Sequence, residues 1–292
     1  MDTIRMKALA KVNLGLDVIR RREDGYHEVK MIMQTLNLYD RVTLEKREQD
    51  GITLETNLSY LPVDQENIAY RAARMLMDEF QIPGGLYIHI EKNIPVAAGM
   101  AGGSTDGAAV LYGMNQIYEL GLTKQQLMER GVRLGADVPY CIMRGTVLSE
   151  GIGEILTPVA PMPDCYILVA KPPISVSTKH VYQGLKLDQI EMYPDIDGMV
   201  EALEAQDLLG ITSRMENVLE TVTIPEHPEI QQIKDQMMEA GALNAMMSGS
   251  GPTVFGIFKD KEQGMKASEY VREKGLAKDI YLVSPYNVKH HL

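Results

Sequence analysis

The residues best suited to chemistry begin in a run of small side chains, PVAAGMAGGSTDGAA, at positions 95–109. Glycines let backbone N–H groups converge, and the first turn of a helix adds unpaired N–H donors and a partial positive charge. Ser104 and Thr105 add hydroxyl donors, and Asp106 is predicted in the first helical turn. A glycine-rich turn leading into a helix near Ser104 therefore predicts an anion site, against the alternative of a tight turn required only by packing.

Two familiar phosphate-binding motifs do not fit this run. A P-loop requires Gly-Lys-Ser or Gly-Lys-Thr, and neither tripeptide occurs in the chain. A dinucleotide fingerprint requires G-x-G-x-x-G within a strand–helix–strand unit. Gly99, Gly102 and Gly103 are spaced differently, and two predicted helices follow them. The sequence therefore indicates a phosphate loop of another kind.

The periodicity of apolar residues predicts the elements that position this loop. Predicted strands cover 5–19, 29–48, 51–57, 85–95, 165–171 and 279–286, with strand, turn and strand over 242–258. Predicted helices cover 68–80, 104–120, 124–134, 177–185, 196–206, 213–220, 228–240 and 261–274, with Asn67 and Thr123 as N-caps. Gly107 is expected to allow close helix packing. Because no regular strand–helix alternation appears, the fold class predicted is α+β. The proline-rich stretch 157–165 reads as a linker between domains 1–157 and 158–292.

Composition bounds the class of protein. The chain has 292 residues, of which 45% are apolar and 24% charged, as is typical of a globular protein. Its formal charge of -11 disfavours nucleic-acid polymers as partners. Cys141 and Cys165 form no C-x-x-C pair, and the tail residues His290 and His291 are not predicted to form a metal site. No secretory leader or membrane-spanning run is recognised, so a cytoplasmic protein without a membrane partner is expected.

Three motifs, in order, resemble those of the GHMP kinase superfamily. They are ALAKVNLGLDV at 8–18, the run at 95–109, and MSGSGPTVFGIF at 247–258. The central motif of that family takes the form P-x-x-x-G-L-G-S-S-A or P-x-x-x-G-L-G-G-G-S-S-D-A-A. The resemblance spans nearly the whole chain. It implies a two-domain fold, with an N-terminal domain like ribosomal protein S5 and a C-terminal ferredoxin-like domain.

Some residues depart from the family pattern. Met100 and Ala101 stand for Leu-Gly, Thr105 stands for the second serine, and Gly107 stands for alanine.

The opening AKVNLGLDVIRRREDGYHEV and the element LGADVPY at 134–140 narrow the resemblance to one branch of the family. Its D-G-Y-H element is the hallmark of that branch. The branch implies an ATP-dependent kinase that phosphorylates the 2-hydroxyl of 4-diphosphocytidyl-2-C-methyl-D-erythritol, in the non-mevalonate route to isoprenoid precursors. It also implies Mg²⁺, which accompanies ATP, and a monomer or weak homodimer. No acidic metal ligand can be named, and Ser104 and Thr105 are the candidate contacts.

The resemblance assigns roles residue by residue. Asp137 is implied as the base that accepts the substrate hydroxyl proton, against the alternative of a solvated or capping aspartate. Lys11 is implied as its charged partner, against an exposed strand position, and Asn13 as a substrate hydrogen-bonding residue two positions along the same strand face. The ATP phosphates are implied to bind the loop residues Pro95, Val96, Ala97, Ala98, Gly99, Met100, Ala101, Gly102, Gly103, Ser104 and Thr105.

The remaining predicted residues belong to a site for the cytosine base of the acceptor and to a turn beside the substrate phosphates. Tyr26 and His27 resemble a cytidine site, in which a ring stacks on the base and an imidazole reads its edge. Tyr182 is the predicted second stacking wall. Gly249, Ser250 and Gly251 are either a plain hairpin turn or, by the resemblance, a turn whose N–H groups face the substrate phosphates.

Three functions stay open at this point. The first is the cytidylated-acceptor kinase. The second is another kinase of the family, acting on homoserine or a mevalonate-type acceptor, which the D-G-Y-H element disfavours because those acceptors carry no base to stack. The third is a non-catalytic binding or regulatory protein of the same fold, which the presence of both Lys11 and Asp137 disfavours.

Overall fold

The computed structural model describes residues 2–288, so His290 and His291 lie outside the described residues. The described chain divides into two compact units. The first holds the described residues of Met1–Ala10, Leu38–Val96 and Ala101–Met143, and the second those of Lys11–Asn37, Ala97–Met100 and Arg144–Leu292. The chain passes from one unit to the other within its two long strands, β1 (Thr3–Arg21) and β2 (His27–Arg47).

The first unit packs helices on strands. Its elements are β3 (Gly51–Thr56), α1 (Ile68–Phe80), β4 (Gly85–Glu91), α2 (Gly102–Ile117), α3 (Lys124–Val132) and α4 (Val138–Met143). Strand β4 pairs antiparallel with the second half of β2 and parallel with β3. Helix α1 packs against α2. A Cβ on Gly107 would lie 2.5 Å from Ile68 Cγ2, so the close helix packing expected at Gly107 is confirmed.

The second unit is built around two sets of strands. Its further elements are β5 (Thr146–Gly151), β6 (Ile155–Pro158), β7 (Tyr166–Lys171), α5 (Thr178–Gly184), α6 (Ile196–Glu204), α7 (Leu208–Thr212), α8 (Glu220–Glu226), α9 (Pro228–Glu239), β8 (Asn244–Met247), β9 (Val254–Phe258), α10 (Lys261–Lys274) and β10 (Asp279–Val283). The first half of β2 pairs with β5, which pairs with β6. An antiparallel sheet has the strand order β10-β7-β9-β8, and helices α9 and α10 pack against it. Phe255 and Ile257 on β9 are buried.

Several sequence predictions are confirmed at the level of caps and fold class. The Asn67 side chain accepts a hydrogen bond from the Ala69 N–H, and Thr123 forms a capping box with Gln126. Helices and strands are mixed as the α+β prediction requires. Within residues 2–288 no helix is both long enough and apolar enough to cross a bilayer.

Several predicted elements differ from the structure. Helix α2 begins at Gly102 rather than near Ser104, because the bend that ends the loop lies at Ala101, which has φ 57°. The helix predicted over 213–220 is wrong: the chain there runs through turns and a bridge, and α8 begins only at Glu220. The stretch predicted as a linker, 157–165, begins inside β6.

Candidate active site

The start of α2 is an uncapped helix N-terminus. Its N-cap residue, Ala101, has φ 57° and offers no side-chain hydrogen bond to the helix. The first backbone hydrogen bond of the helix runs from the Thr105 N–H to the Ala101 carbonyl, at 2.9 Å. The N–H groups of Gly102, Gly103 and Ser104 are thus left at the helix end, where donors lack an intrahelical partner. This arrangement suits an anion, as the composition of the run predicts.

The middle of the predicted phosphate loop is fixed within the second unit. The Lys11 N–H donates to the Met100 carbonyl at 3.2 Å, and the Ser248 hydroxyl donates to the Gly99 carbonyl at 3.0 Å. Gly99 has φ 68°, and a Cβ there would lie 2.1 Å from the Ser248 carbonyl oxygen. The close approach therefore requires glycine at this position, and the conformation favours it.

Gly103 differs from Gly99, because the packing around it leaves room for a Cβ. A Cβ on Gly103 would meet only Ile68 Cδ1, at 3.6 Å, which is an ordinary contact. Gly102 is tighter, with a Cβ falling 3.3 Å from Lys92 Nζ. The open space at Gly103 lies at the second residue of α2, where an anion bound to the helix end would approach the backbone.

A buried ion triad lies beside the start of α2, and the sequence did not reveal it. Lys92 Nζ lies 2.5 Å from Asp40 Oδ2 and 2.7 Å from Asp106 Oδ2, and all three side chains are at most 6% exposed. The other oxygen of Asp40 accepts the N–H groups of Asn93 and Ile94. The sequence signal was a lysine, Lys92, inside the apolar strand predicted over 85–95.

The prediction that Asp106 lies in the first helical turn is wrong. It is the fifth residue of α2 and points into the core toward Lys92, because the helix begins two residues earlier than expected. Burial raises the pKa of the Asp106 carboxyl, against the attraction of Lys92. Burial alone would lower the pKa of Lys92, but the two carboxylates outweigh it and raise that pKa.

Lys11 and Asn13 lie together on β1. Lys11 is 4% exposed and Asn13 is 1% exposed, so the alternative of an exposed lysine is wrong. Lys11 Nζ donates to Asn13 Oδ1 at 2.7 Å, and Asn13 Nδ2 donates to Met31 Sδ at 3.1 Å. A buried ammonium beside an amide oxygen is held in a fixed position, as a group acting on a substrate needs to be.

Asp137 directly precedes α4 in the first unit. Its backbone carbonyl accepts the Cys141 N–H at 3.0 Å, and the residue is half-buried. It is therefore neither a fully solvated surface residue nor buried in the core.

The predicted recognition residues are partly brought together. The rings of His27 and Tyr182 have centroids 5.2 Å apart with an interplanar angle of 38°. Tyr26 is 59% exposed, and its N–H donates to Asp24 Oδ1 in the turn before β2. Burial and the nearby Arg21 lower the pKa of His27, so its imidazole is neutral near pH 7.

The turn after β8 lies against the residues predicted for the acceptor. A Cβ on Gly249 would be 3.5 Å from Asn13 Oδ1, and the hydroxyls of Ser250 and Thr178 are 2.9 Å apart. Gly251 closes the turn with an N–H donated to the Ser248 carbonyl. Thr178, at the start of α5, is a neighbour that sequence reasoning did not identify.

A surface groove of about 1020 Å³ lies elsewhere, between α1 and α3. It contains none of the predicted site residues. Its charged side chains largely neutralise one another, since Arg130 pairs with Glu79 and Arg74 pairs with Asp78. We therefore do not assign it to the reaction.

Comparison with known proteins gives matches over nearly the whole chain. The family model for the GHMP kinases N terminal domain matches residues 67–145, and the model for the GHMP kinases C terminal domain matches residues 199–277. The chain is similar to proteins named 4-diphosphocytidyl-2-C-methyl-D-erythritol kinase. It is 51% identical to one from Lachnospira eligens over 98% of this chain and 99% of that one. It is 53% identical to one from Lachnoclostridium phytofermentans over 99% and 100%.

Solved structures agree with these matches. A crystal structure of 4-(cytidine 5'-diphospho)-2C-methyl-D-erythritol kinase superposes with a TM-score of 0.84 at 31% identity, covering 98% of this chain and all of that one. Homoserine kinase from Cytophaga hutchinsonii superposes with a TM-score of 0.81 at 21% identity, covering 98% of this chain and 96% of that one. The second likeness concerns the fold alone.

Proposed function

The chain belongs to the GHMP kinase family and is therefore a small-molecule kinase that uses ATP, and we propose that its acceptor is the 2-hydroxyl of 4-diphosphocytidyl-2-C-methyl-D-erythritol. The acceptor named for the relatives carries a cytosine base and a diphosphate. A kinase for this acceptor needs a site for the base, donors for the diphosphate and a catalytic end for the hydroxyl. Each part has candidate residues in the chain.

The observation that carries the proposal is the ring pair of His27 and Tyr182. Two rings 5.2 Å apart form an aromatic wall, and the exposed ring of Tyr26 lies next to His27 in the chain. A neutral imidazole offers one donor and one acceptor, which is what reading the edge of a base requires. Acceptors such as homoserine or mevalonate have no base to use such a wall.

The catalytic end uses Asp137, Lys11 and Asn13. In the proposed reaction the Asp137 carboxylate accepts the proton of the attacking hydroxyl, and that oxygen forms a bond to the γ-phosphorus while the bond to the leaving ADP breaks. The Lys11 ammonium stabilises the negative charge that develops, and Asn13 orients the acceptor. The hydrogen bond of 2.7 Å between Lys11 and Asn13 supports a shared task.

The ATP phosphates bind the loop 95–105 in this proposal. The uncapped N–H groups of Gly102, Gly103 and Ser104 support it, because phosphate oxygens supply the missing acceptors. Mg²⁺ fits the donors present, since this ion is commonly held by a few protein oxygens together with substrate phosphates. The hydroxyls of Ser104 and Thr105 would hold it, and it would neutralise phosphate charge. Asp106 is engaged by Lys92, and residues 2–288 contain no cluster of three metal-ligating side chains.

The test of the base site is Tyr182→Ala. We expect the KM for the cytidylated acceptor to rise about tenfold, because base–aromatic stacking contributes roughly 1–3 kcal/mol. The KM for ATP should stay unchanged. The control is Tyr193→Ala, since Tyr193 is 57% exposed and its hydroxyl donates to the Leu187 carbonyl, six residues away. An unchanged acceptor KM in Tyr182→Ala would remove the aromatic wall from the proposal.

A further inference from the structure

Asn217 lies between α7 and α8 and is held against β1 from both sides. The Leu16 N–H donates to the Glu216 carbonyl at 2.9 Å, and the Val218 N–H donates to the Leu16 carbonyl at 3.1 Å. Asn217 itself is 3% exposed. Its backbone is therefore fixed to the same strand that carries Lys11 and Asn13.

The Asn217 carboxamide forms hydrogen bonds with the end of β8 and with the turn that follows it. Nδ2 donates to the Met247 carbonyl at 2.9 Å and to the Gly249 carbonyl at 2.8 Å, while Oδ1 accepts the Leu219 N–H at 3.0 Å. Both amide hydrogens thus bind backbone carbonyls, one at the end of β8 and one in the turn after it. Only a carboxamide in this place can donate twice and accept once.

The hydrogen bond to the Gly249 carbonyl orients the peptide that joins Gly249 to Ser250. In a trans peptide the C=O and N–H point in opposite directions. Because the Gly249 carbonyl is bound by Asn217 on the buried side, the Ser250 N–H points away from Asn217. Among residues 2–288 this N–H has no hydrogen-bond partner. A donor in a residue only 6% exposed that has no acceptor among residues 2–288 is satisfied by water or by a bound ligand.

The neighbours of Ser250 favour a bound ligand. Its hydroxyl lies 2.9 Å from the hydroxyl of Thr178, which is four residues before Tyr182 on α5 and so lies on the same helix face. A Cβ on the adjacent Gly249 would be 3.5 Å from Asn13 Oδ1. Ser250 is therefore next to the helix that carries Tyr182, and the adjacent Gly249 is next to Asn13. In the cytidylated acceptor the diphosphate joins the part that carries the base to the part that carries the hydroxyl.

We propose that Asn217 is a positioning residue that aims the Ser250 N–H at the diphosphate of the acceptor. The inference rests on the proposed function, since it needs an acceptor with a base and a diphosphate. Glu220 supports the same turn, because its carboxylate accepts the Met247 N–H at 2.7 Å and pairs with Lys234.

The experiment compares binding of cytidine diphosphate and of cytidine by calorimetry, in the wild-type protein and in Asn217→Ala and Asn217→Asp. We expect the wild type to prefer cytidine diphosphate. In both variants that preference should fall about tenfold or more, because a hydrogen bond to a charged group is lost, while cytidine affinity stays the same. Asn217→Asp keeps the acceptor oxygen and the size of the side chain but loses both donors. It therefore tests the two donated hydrogen bonds rather than the side-chain volume.

The matched control is Asn244→Ala. Asn244 also bridges two segments of the second unit, donating to the Thr212 carbonyl at 2.7 Å, but it does not touch the turn. Thermal melting of all variants separates stability from recognition. If the Asn217 variants keep the wild-type preference for the diphosphate, the positioning role is overturned; the same holds if Asn244→Ala loses that preference equally. A wild-type protein that binds neither ligand would instead overturn the proposed function.

Discussion

At the scale of single residues, the phosphate loop shows which glycines serve the fold and which serve a ligand. Gly99 is required by the close approach of the Ser248 carbonyl and is favoured by its φ of 68°. Gly103 has ordinary space around it. Ala101 takes φ 57°, a conformation that glycine adopts freely and that costs alanine about 1–2 kcal/mol. Ala101, which stands where the family motif has glycine, thus holds a left-handed conformation at a cost in stability.

Gly103→Val tests this division. We expect the variant to fold with a melting temperature near that of the wild type, because a Cβ at this position meets Ile68 Cδ1 at 3.6 Å, an ordinary contact distance. Its ATP affinity should fall about tenfold or more, since the new side chain keeps phosphate away from the helix N–H groups. Calorimetric titration with ATP measures the loss.

Gly99→Ala is the contrasting variant, and it should lose stability because its Cβ would lie 2.1 Å from a backbone oxygen. Wild-type ATP affinity in a folded Gly103→Val protein would contradict the assignment of this loop to the phosphates.

At the scale of elements, the Lys92 triad fixes the start of α2 to the end of β4. One ammonium binds the carboxyl groups of Asp40 and Asp106 in the core, so its loss leaves both buried acidic side chains without that partner. Removing one partner of a buried ion pair typically costs about 3–5 kcal/mol.

Lys92→Met should therefore lower the free energy of unfolding by about 3–5 kcal/mol, as measured by urea denaturation. The control is Lys266→Met, which removes an exposed lysine paired with Glu262 one helical turn away and should change stability little. Equal effects of the two substitutions would show that the triad contributes no more than a surface pair.

The sequence predicted many elements because their signals are local. Alternation predicted β4, and the side chains of Asn67 and Thr123 predicted the starts of α1 and α3. The helix predicted over 213–220 was wrong because this stretch bonds to strands that are distant in sequence. The backbone of the residues on either side of Asn217 bonds to β1, and the Asn217 side chain bonds to the end of β8. The Lys92 triad was missed for the same reason: its three members come from separate elements.

At the scale of the whole molecule, the two compact units are each discontinuous in sequence. The family resemblance was readable because three motifs lie in a fixed order along the chain, whatever their contacts. The division of the chain at residue 157 and the state of monomer or weak homodimer stay predictions, as do the roles assigned to single site residues. The fold class and the family are established by the structure and by the relatives.

The central claim is transfer of the γ-phosphoryl group of ATP to one kind of acceptor, and phosphorus NMR tests it most directly. The protein would be incubated with ATP and Mg²⁺ and, separately, with 4-diphosphocytidyl-2-C-methyl-D-erythritol, methylerythritol phosphate, homoserine and mevalonate, with Asp137→Asn as the control enzyme. We expect a new phosphomonoester signal with the cytidylated acceptor alone, reduced by orders of magnitude in Asp137→Asn. A signal with homoserine or mevalonate, or no signal with any acceptor while ATP still binds, would contradict the claim.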